Sequence, residues 1–236
     1  MRIGTVELGK KPEIVLSLDG EKVEEKLETC LRYKVKLVEA RGDLIVADGK
    51  DLKETLNLIG DYGRYAVFTL RPVWEGGKLR CSESRRLELF KKYVSHPAVG
   101  AVDIELRAEK ILPDVRNLVK KKGKVLLISY HDFENTPTPT QIKSIFHSAV
   151  EKGADIVKMA FYGRTLREVA SVCCVMSSFS HPLVFMVMGN LGKLTRVVGF
   201  HFGSLLTYTF LGKAVAPGQV PLEELVELIE TFYAEW

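Results

Sequence analysis

The chain has 236 residues, with 34 Lys+Arg against 30 Asp+Glu and a net charge of +4. With 46% hydrophobic and 27% charged residues, it has the composition of a globular protein and enough apolar mass to exclude intrinsic disorder. The basic residues are scattered among acids apart from Lys120–Lys122 and Arg85–Arg86, which excludes a nucleic-acid stripe. Cys30, Cys81, Cys173 and Cys174 form neither a CxxC pair nor a metal-ligand spacing, so no metal site is expected and the compartment reads as reducing and cytoplasmic. The N-terminus carries Arg2, Glu7, Lys10, Lys11 and Glu13 and offers no signal-peptide core. The uncharged stretch from Val169 to Gly192 is interrupted by Ser177, Ser178, Ser180, His181 and Pro182. That polar centre reads as helix end, turn and strand rather than a membrane span.

In chain order, Ile3–Leu8 is a short β-like piece that turns back through Gly9 and Pro12, a hairpin expected to cap one mouth of the fold. β-rich runs then recur at Ile14–Leu18, Val35–Ala40, Tyr65–Leu70, Val99–Glu105, Val125–Tyr130, Asp155–Phe161, Leu183–Met188 and Ser204–Thr209. Helical segments are expected at Gly20–Tyr33, Ser82–Ser95, Thr138–Lys152, Thr165–Ser177 and Leu222–Tyr233. Acids near a helix start, Pro at the entrance and Gly at the exit mark these boundaries. Eight strands alternating with helical connections predict an α/β fold, an eight-stranded parallel β/α (TIM) barrel with a short N-terminal β-hairpin. A barrel of roughly 250 residues accommodates the whole chain, 1–236, as a single domain. The competing open doubly wound sheet would want GxGxxG after the first strand, and Leu18-Asp19-Gly20-Glu21 is not that.

Functional groups of such a barrel sit at the C-terminal ends of its strands. Those ends carry Glu39, Arg41 and Asp43, then Arg71 and Glu75, Asp103 and Glu105, Tyr130-His131-Asp132, Lys158, Met188-Gly189 with Arg196, and Pro217-Gly218-Gln219. The set suits a small, polyhydroxylated, anionic ligand. Lys158 interrupts the apolar run Ile156-Val157-Lys158-Met159-Ala160 and shares a strand face with Ile156 and Ala160. A buried ammonium costs several kcal/mol unless it is paired or its pKa falls. A lysine of depressed pKa attacks carbonyls and forms a Schiff base; the other reading is a structural pairing with Glu105 or Asp103. His131 alone among the five histidines lies at such a strand end. There it suits general acid/base work, or else it is a packed core histidine. Glu75, in Trp74-Glu75-Gly76-Gly77, is either its orienting acid or an exposed loop acid. Arg71 and Arg196 suit bidentate capture of a carboxylate. The glycines of Gly199–Ser204 read as close packing rather than a phosphate site.

Together, Glu39-Ala40-Arg41-Gly42-Asp43, Thr69-Leu70-Arg71 with Glu75-Gly76-Gly77, Asp103-Ile104-Glu105, Ser129-Tyr130-His131-Asp132-Phe133, Asp155-Ile156-Val157-Lys158, Met188-Gly189 with Gly192 and Arg196, and Ala216-Pro217-Gly218-Gln219 resemble type I 3-dehydroquinate dehydratase, the Schiff-base enzyme of the shikimate pathway. The resemblance runs from Pro12 to the C-terminal helix. It implies dehydration of 3-dehydroquinate to 3-dehydroshikimate, without metal or soluble cofactor. It further implies that Lys158 forms the imine, His131 removes a C2 proton and later protonates the leaving C1 hydroxyl, and Glu75 holds the histidine. Arg196 and Gln219 would bind the carboxylate and its neighbouring hydroxyl, with Glu39, Arg41 and Arg71 as the wall around the other hydroxyls. One position departs: where the family commonly has serine, two residues before Pro217, this chain has Val215. A small-molecule substrate, no nucleic acid, no membrane and a homodimer are the expected partners. The alternatives are a class I Schiff-base aldolase or transaldolase on the same barrel, and a catalytically silent barrel that only binds. Ala214–Gln219, hinged at Gly218, is the expected closing loop.

Overall fold

The computed structural model describes residues 1–233. Inside a barrel each strand shows alternate residues to the lumen and to the helices, and this sequence writes both faces plainly. The lumen receives Val15 and Ser17 from β3 (Glu13–Leu18), Glu39 and Arg41 from β4 (Leu37–Arg41), and Val67 and Thr69 from β5 (Tyr65–Thr69). It also receives Asp103 from β6 (Val99–Glu105), Ser129 and His131 from β7 (Val125–Asp132), and Lys158 from β8 (Ile156–Tyr162). Met186 from β9 (Leu183–Met188) and Tyr208 from β10 (Leu206–Thr209) complete the ring. The outward set, including Leu16, Val38, Phe68, Val102, Leu126, Val157 and Phe185, packs under the helices as the main core.

The eight strands pair in parallel in the order β10-β3-β4-β5-β6-β7-β8-β9. A parallel bridge between Leu183 and Ser204 links the two ends of this order, just before β10 begins. The hairpin is β1 (Arg2–Ile3) with β2 (Val6–Glu7), paired antiparallel. Its Ile3, Val6 and Leu8 pack against Val15, Leu37, Val67, Ala101, Leu127 and Ile156. The N-terminal end of the lumen is therefore closed by apolar side chains, and the opposite end is left for chemistry.

The helices are α1 (Val23–Arg32), α2 (Gly42–Ala47), α3 (Leu52–Asp61), α4 (Glu83–Tyr93), α5 (Leu112–Lys121), α6 (Pro139–Glu151), α7 (Leu166–Met176), α8 (Thr195–Val198) and α9 (Leu222–Tyr233). Thr138 with Gln141, and Thr165 with Glu168, form capping boxes that start α6 and α7. The expected helix from Gly20 begins instead at Val23, because Lys22 is left-handed at φ 47°. Strand β7 runs two residues beyond the expected Tyr130 and so includes His131. The strand expected from Val35 starts at Leu37 and the one expected from Ser204 starts at Leu206. Among the described residues no helix is long and apolar enough to cross a membrane.

Candidate active site

Lys158 stands on an interior strand face, 4% exposed. Its Nζ lies 2.8 Å from Asp103 Oδ2 and 3.5 Å from Glu39 Oε1. The same Nζ sits 4.0 Å from the centre of the Tyr208 ring. Glu39 is fixed in turn by Ser17 Oγ and Thr69 Oγ1, each donating at 3.0 Å. A depressed lysine pKa is not what this geometry gives. Burial pulls the ammonium down, but Asp103, Tyr208 and Glu39 outweigh it and the net shift is upward. Of the two acids considered from sequence, Asp103 pairs with Lys158, whereas Glu105 is taken by Arg71 and Arg86. Lys158 therefore rests as an ammonium and must lose a proton before it can act as a nucleophile.

His131 Nδ1 is 2.9 Å from Glu75 Oε2. The other oxygen of Glu75 accepts from Arg107 Nε at 2.9 Å, and Arg107 also donates to the His131 carbonyl at 3.0 Å. With the carboxylate accepting on both oxygens, the imidazole carries its proton on Nδ1 and leaves Nε2 as a lone pair. Burial, with the Arg71 and Lys158 cations beside it, holds the His131 pKa well below the ordinary value. The ring is a neutral base. Burial pushes the Glu75 carboxyl up against the pull of Arg71 and Arg107. Glu75 itself is 1% exposed and not a loop acid in solvent. It is held in the short turn Val73–Glu75 that Gly76 and Gly77 close. A Cβ on Gly77 would fall 1.8 Å from the Arg71 carbonyl oxygen, so only glycine lets the turn fold back that tightly.

The arginines divide into two kinds. Arg41 is bound by Asp43, with Nε to Oδ1 at 2.9 Å and Nη2 to Oδ2 at 2.8 Å. Arg71 bonds Asp103 at 2.9 Å, Glu105 at 2.6 Å and Ser129 Oγ at 2.7 Å. Arg196, 1% exposed, has no carboxylate within ion-pair distance among the described residues. Its guanidinium donates to the Gly218 carbonyl at 2.7 Å and the Pro217 carbonyl at 3.3 Å. Burial pushes its pKa down to about 10, so it remains a cation. Gln219 Oε1 accepts from the backbone N–H of Val215 at 2.8 Å and of Ala216 at 3.1 Å, which pins the loop under that guanidinium.

One cavity is lined by Glu39, Arg41, Arg71, Glu75, His131, Lys158, Arg196 and Gln219. The eight residues given roles by the resemblance thus reach a common space, whereas the strand-end acids Asp43, Asp103, Glu105 and Asp132 do not line it. Two groups at the site were not anticipated. Arg107 follows β6 by two residues, and its guanidinium lies over the Trp74 and Tyr130 rings at 5.4 Å and 4.9 Å. Tyr208 also lines the cavity, with Lys158 Nζ over its ring. Among the described residues no group of three or more His, Cys, Asp or Glu is arranged to hold a metal ion.

The chain has known relatives. The family model for type I 3-dehydroquinase matches residues 14–235. The 3-dehydroquinate dehydratase of Aquifex aeolicus (strain VF5) is 34% identical over 221 residues, covering 93% of this chain and 98% of that protein. A crystal structure of the 3-dehydroquinate dehydratase from Aquifex aeolicus VF5 superposes with a TM-score of 0.83, covering 94% of this chain and 99% of that one. The type I enzyme of Clostridium difficile, solved with covalently modified comenic acid, gives a TM-score of 0.89 at 25% identity, covering 100% and 98% of the two chains. With fold and sequence agreeing over nearly its whole length, the chain belongs to the type I 3-dehydroquinase family.

Proposed function

We propose that this protein, as one catalytic unit over residues 1–236, dehydrates 3-dehydroquinate to 3-dehydroshikimate through an imine on Lys158. One observation carries the reading: the Lys158 amine and a neutral His131, oriented by Glu75, share a single cavity. A proton alpha to a ketone is too weakly acidic for histidine at neutral pH; a protonated imine makes nitrogen an electron sink and lowers that barrier.

The sequence of events follows from the charges. Asp103 is held well below the ordinary carboxylate range, pulled down by Arg71 and Lys158 against its burial, so it is a poor acceptor for the Lys158 proton. His131 is the neutral base facing the same space. His131 takes the Lys158 proton, the freed amine attacks the C3 ketone, and His131 returns that proton to the carbinolamine hydroxyl, which leaves as water to give the iminium. His131 then removes a C2 proton to give the enamine. The enamine expels the C1 hydroxyl, which leaves as water with the proton that His131 returns. Hydrolysis of the remaining iminium regenerates Lys158 and consumes the first water, so the net change is loss of one water. One histidine serves both proton steps because both occur on one ring face.

The uncompensated Arg196 guanidinium, with Gln219 beside it, is the docking point for the substrate carboxylate. Glu39, Arg41 and Arg71 form the wall around the remaining hydroxyls and fix the ring for reaction. Loop 214–219 is the segment we assign to closure. We further read the enzyme as cytoplasmic, without a nucleic-acid partner and working as a homodimer. The test of activity is direct: on incubation with 3-dehydroquinate, ultraviolet absorbance of the conjugated enone should rise. A flat trace, with or without aldolase turnover, would overturn the proposal.

A further inference from the structure

Arg107 does not line the site cavity, yet it holds both members of the Glu75–His131 pair. Its Nε and Nη2 both reach Glu75 Oε1, at 2.9 Å and 2.8 Å, and Nη2 also donates to the His131 carbonyl at 3.0 Å. One guanidinium thus ties the side chain of the acid to the backbone of the histidine, leaving Glu75 Oε2 for His131 Nδ1. Two rings locate the guanidinium in turn: Trp74, from the Val73–Glu75 turn, and Tyr130, from β7.

The two charges sit differently in water. The Glu75 side chain is fully buried, whereas that of Arg107 is 45% exposed. A buried carboxylate needs a cation that also hydrogen-bonds it. Arg71 Nη1 stands 3.7 Å from Glu75 Oε2, beyond hydrogen-bond distance, and is engaged by Asp103 and Glu105. Those two acids face Glu75 from β6 and repel it. Arg107 supplies the contact that Arg71 does not. We infer that Arg107 is a positioning residue for the general base: through Glu75 it keeps the His131 Nε2 lone pair turned to the cavity. The inference rests on the proposed role of His131 in the 3-dehydroquinate reaction. A proton arriving on Glu75 weakens the base wherever it lands. On Oε2 it is donated to Nδ1 and moves the imidazole proton to Nε2; on Oε1 it removes the negative charge that stabilises an imidazolium. Burial pushes the Glu75 carboxyl up, and Arg71 and Arg107 oppose it, so loss of Arg107 raises it further. The other charges facing His131, namely Arg71, Lys158, Asp103 and Glu39, stay in place.

The test is Arg107→Ala, a change at a half-exposed side chain outside the cavity. The protonated pair is the inactive form, so the acid limb of kcat/KM should move to higher pH and activity should return as pH rises. The move should be about one pH unit, the lower end of what an adjacent cation does, because Arg107 is half exposed. Millimolar guanidinium chloride should enter the slot between Trp74 and Tyr130 and restore activity, whereas sodium chloride at equal ionic strength should not. Wild type should respond to neither salt. Arg107→Lys, which keeps a cation without the fork, should place the limb between those of wild type and Arg107→Ala. The same midpoint is read without substrate from the His131 ring resonances. An unmoved midpoint in Arg107→Ala, or a loss of activity that is uniform across pH and indifferent to guanidinium, would overturn the inference and leave Arg107 a structural strap. Wild-type protein inactive on 3-dehydroquinate would instead sink the reaction assignment, and the His131 titration would still decide the role of Arg107.

Discussion

Glu75→Gln isolates the device that orients the base. Glu75 is 1% exposed and its two oxygens accept from Arg107 and His131. Glutamine preserves shape but supplies one oxygen and one NH₂. If the oxygen stays with Arg107, the NH₂ faces His131 Nδ1. The imidazole must then accept there and move its proton to Nε2, so the nitrogen facing the cavity no longer has a lone pair. If the oxygen turns to His131, the amide faces a guanidinium donor to donor. Wrong-tautomer effects of this type reduce kcat by about 10²–10⁴-fold. Measured by enone absorbance at saturating 3-dehydroquinate, kcat should fall within that range. Imine formation, trapped with borohydride, should slow as well, because His131 Nε2 is also the acceptor for the Lys158 proton. A kcat within about threefold of wild type, less than about 0.7 kcal/mol in the barrier, would refute the orienting role.

Two further outcomes follow from the charges. His131 works as a base only when neutral, and its pKa lies well below the ordinary histidine value of about 6.5. As pH falls, kcat/KM should therefore hold through 6.5 and decline only at more acidic pH; an acid limb centred at or above about 6.5 would contradict the neutral, cation-flanked imidazole. Arg196→Gln should raise KM by about 10–150-fold, the equivalent of losing a charge-assisted hydrogen bond of about 1.5–3 kcal/mol, and Michaelis–Menten curves would show it. An unchanged KM would mean that the carboxylate docks elsewhere.

Much of the site was legible because a barrel converts linear alternation into convergence. Lys158 betrays itself as a charge in the inward register of an apolar strand, and His131, Glu75, Arg71 and Arg196 lie just past strand ends that must face one mouth. Helices α2, α3, α5 and α8 escaped the reading. Yet Asp51, whose side chain accepts from Lys53 and Glu54 N–H, marks the start of α3 in the usual way. The Lys158 charge state was legible only as the alternative of a pairing with Asp103 or Glu105. It depends on Asp103 and Glu39, which are 55 and 119 residues away along the chain. Arg107 could have been found by the strand-end rule, since it stands two residues past β6, but nothing local announces that it clamps Glu75.

The central claim is that Lys158 bonds covalently to substrate. Borohydride reduction of the protein in the presence of 3-dehydroquinate, followed by peptide mass mapping, tests it without relying on turnover. The mechanism requires a stable adduct on the peptide containing Lys158, and its loss in Lys158→Ala. An enzyme that turns over under the same conditions with no adduct, or with the adduct on another lysine, would contradict it.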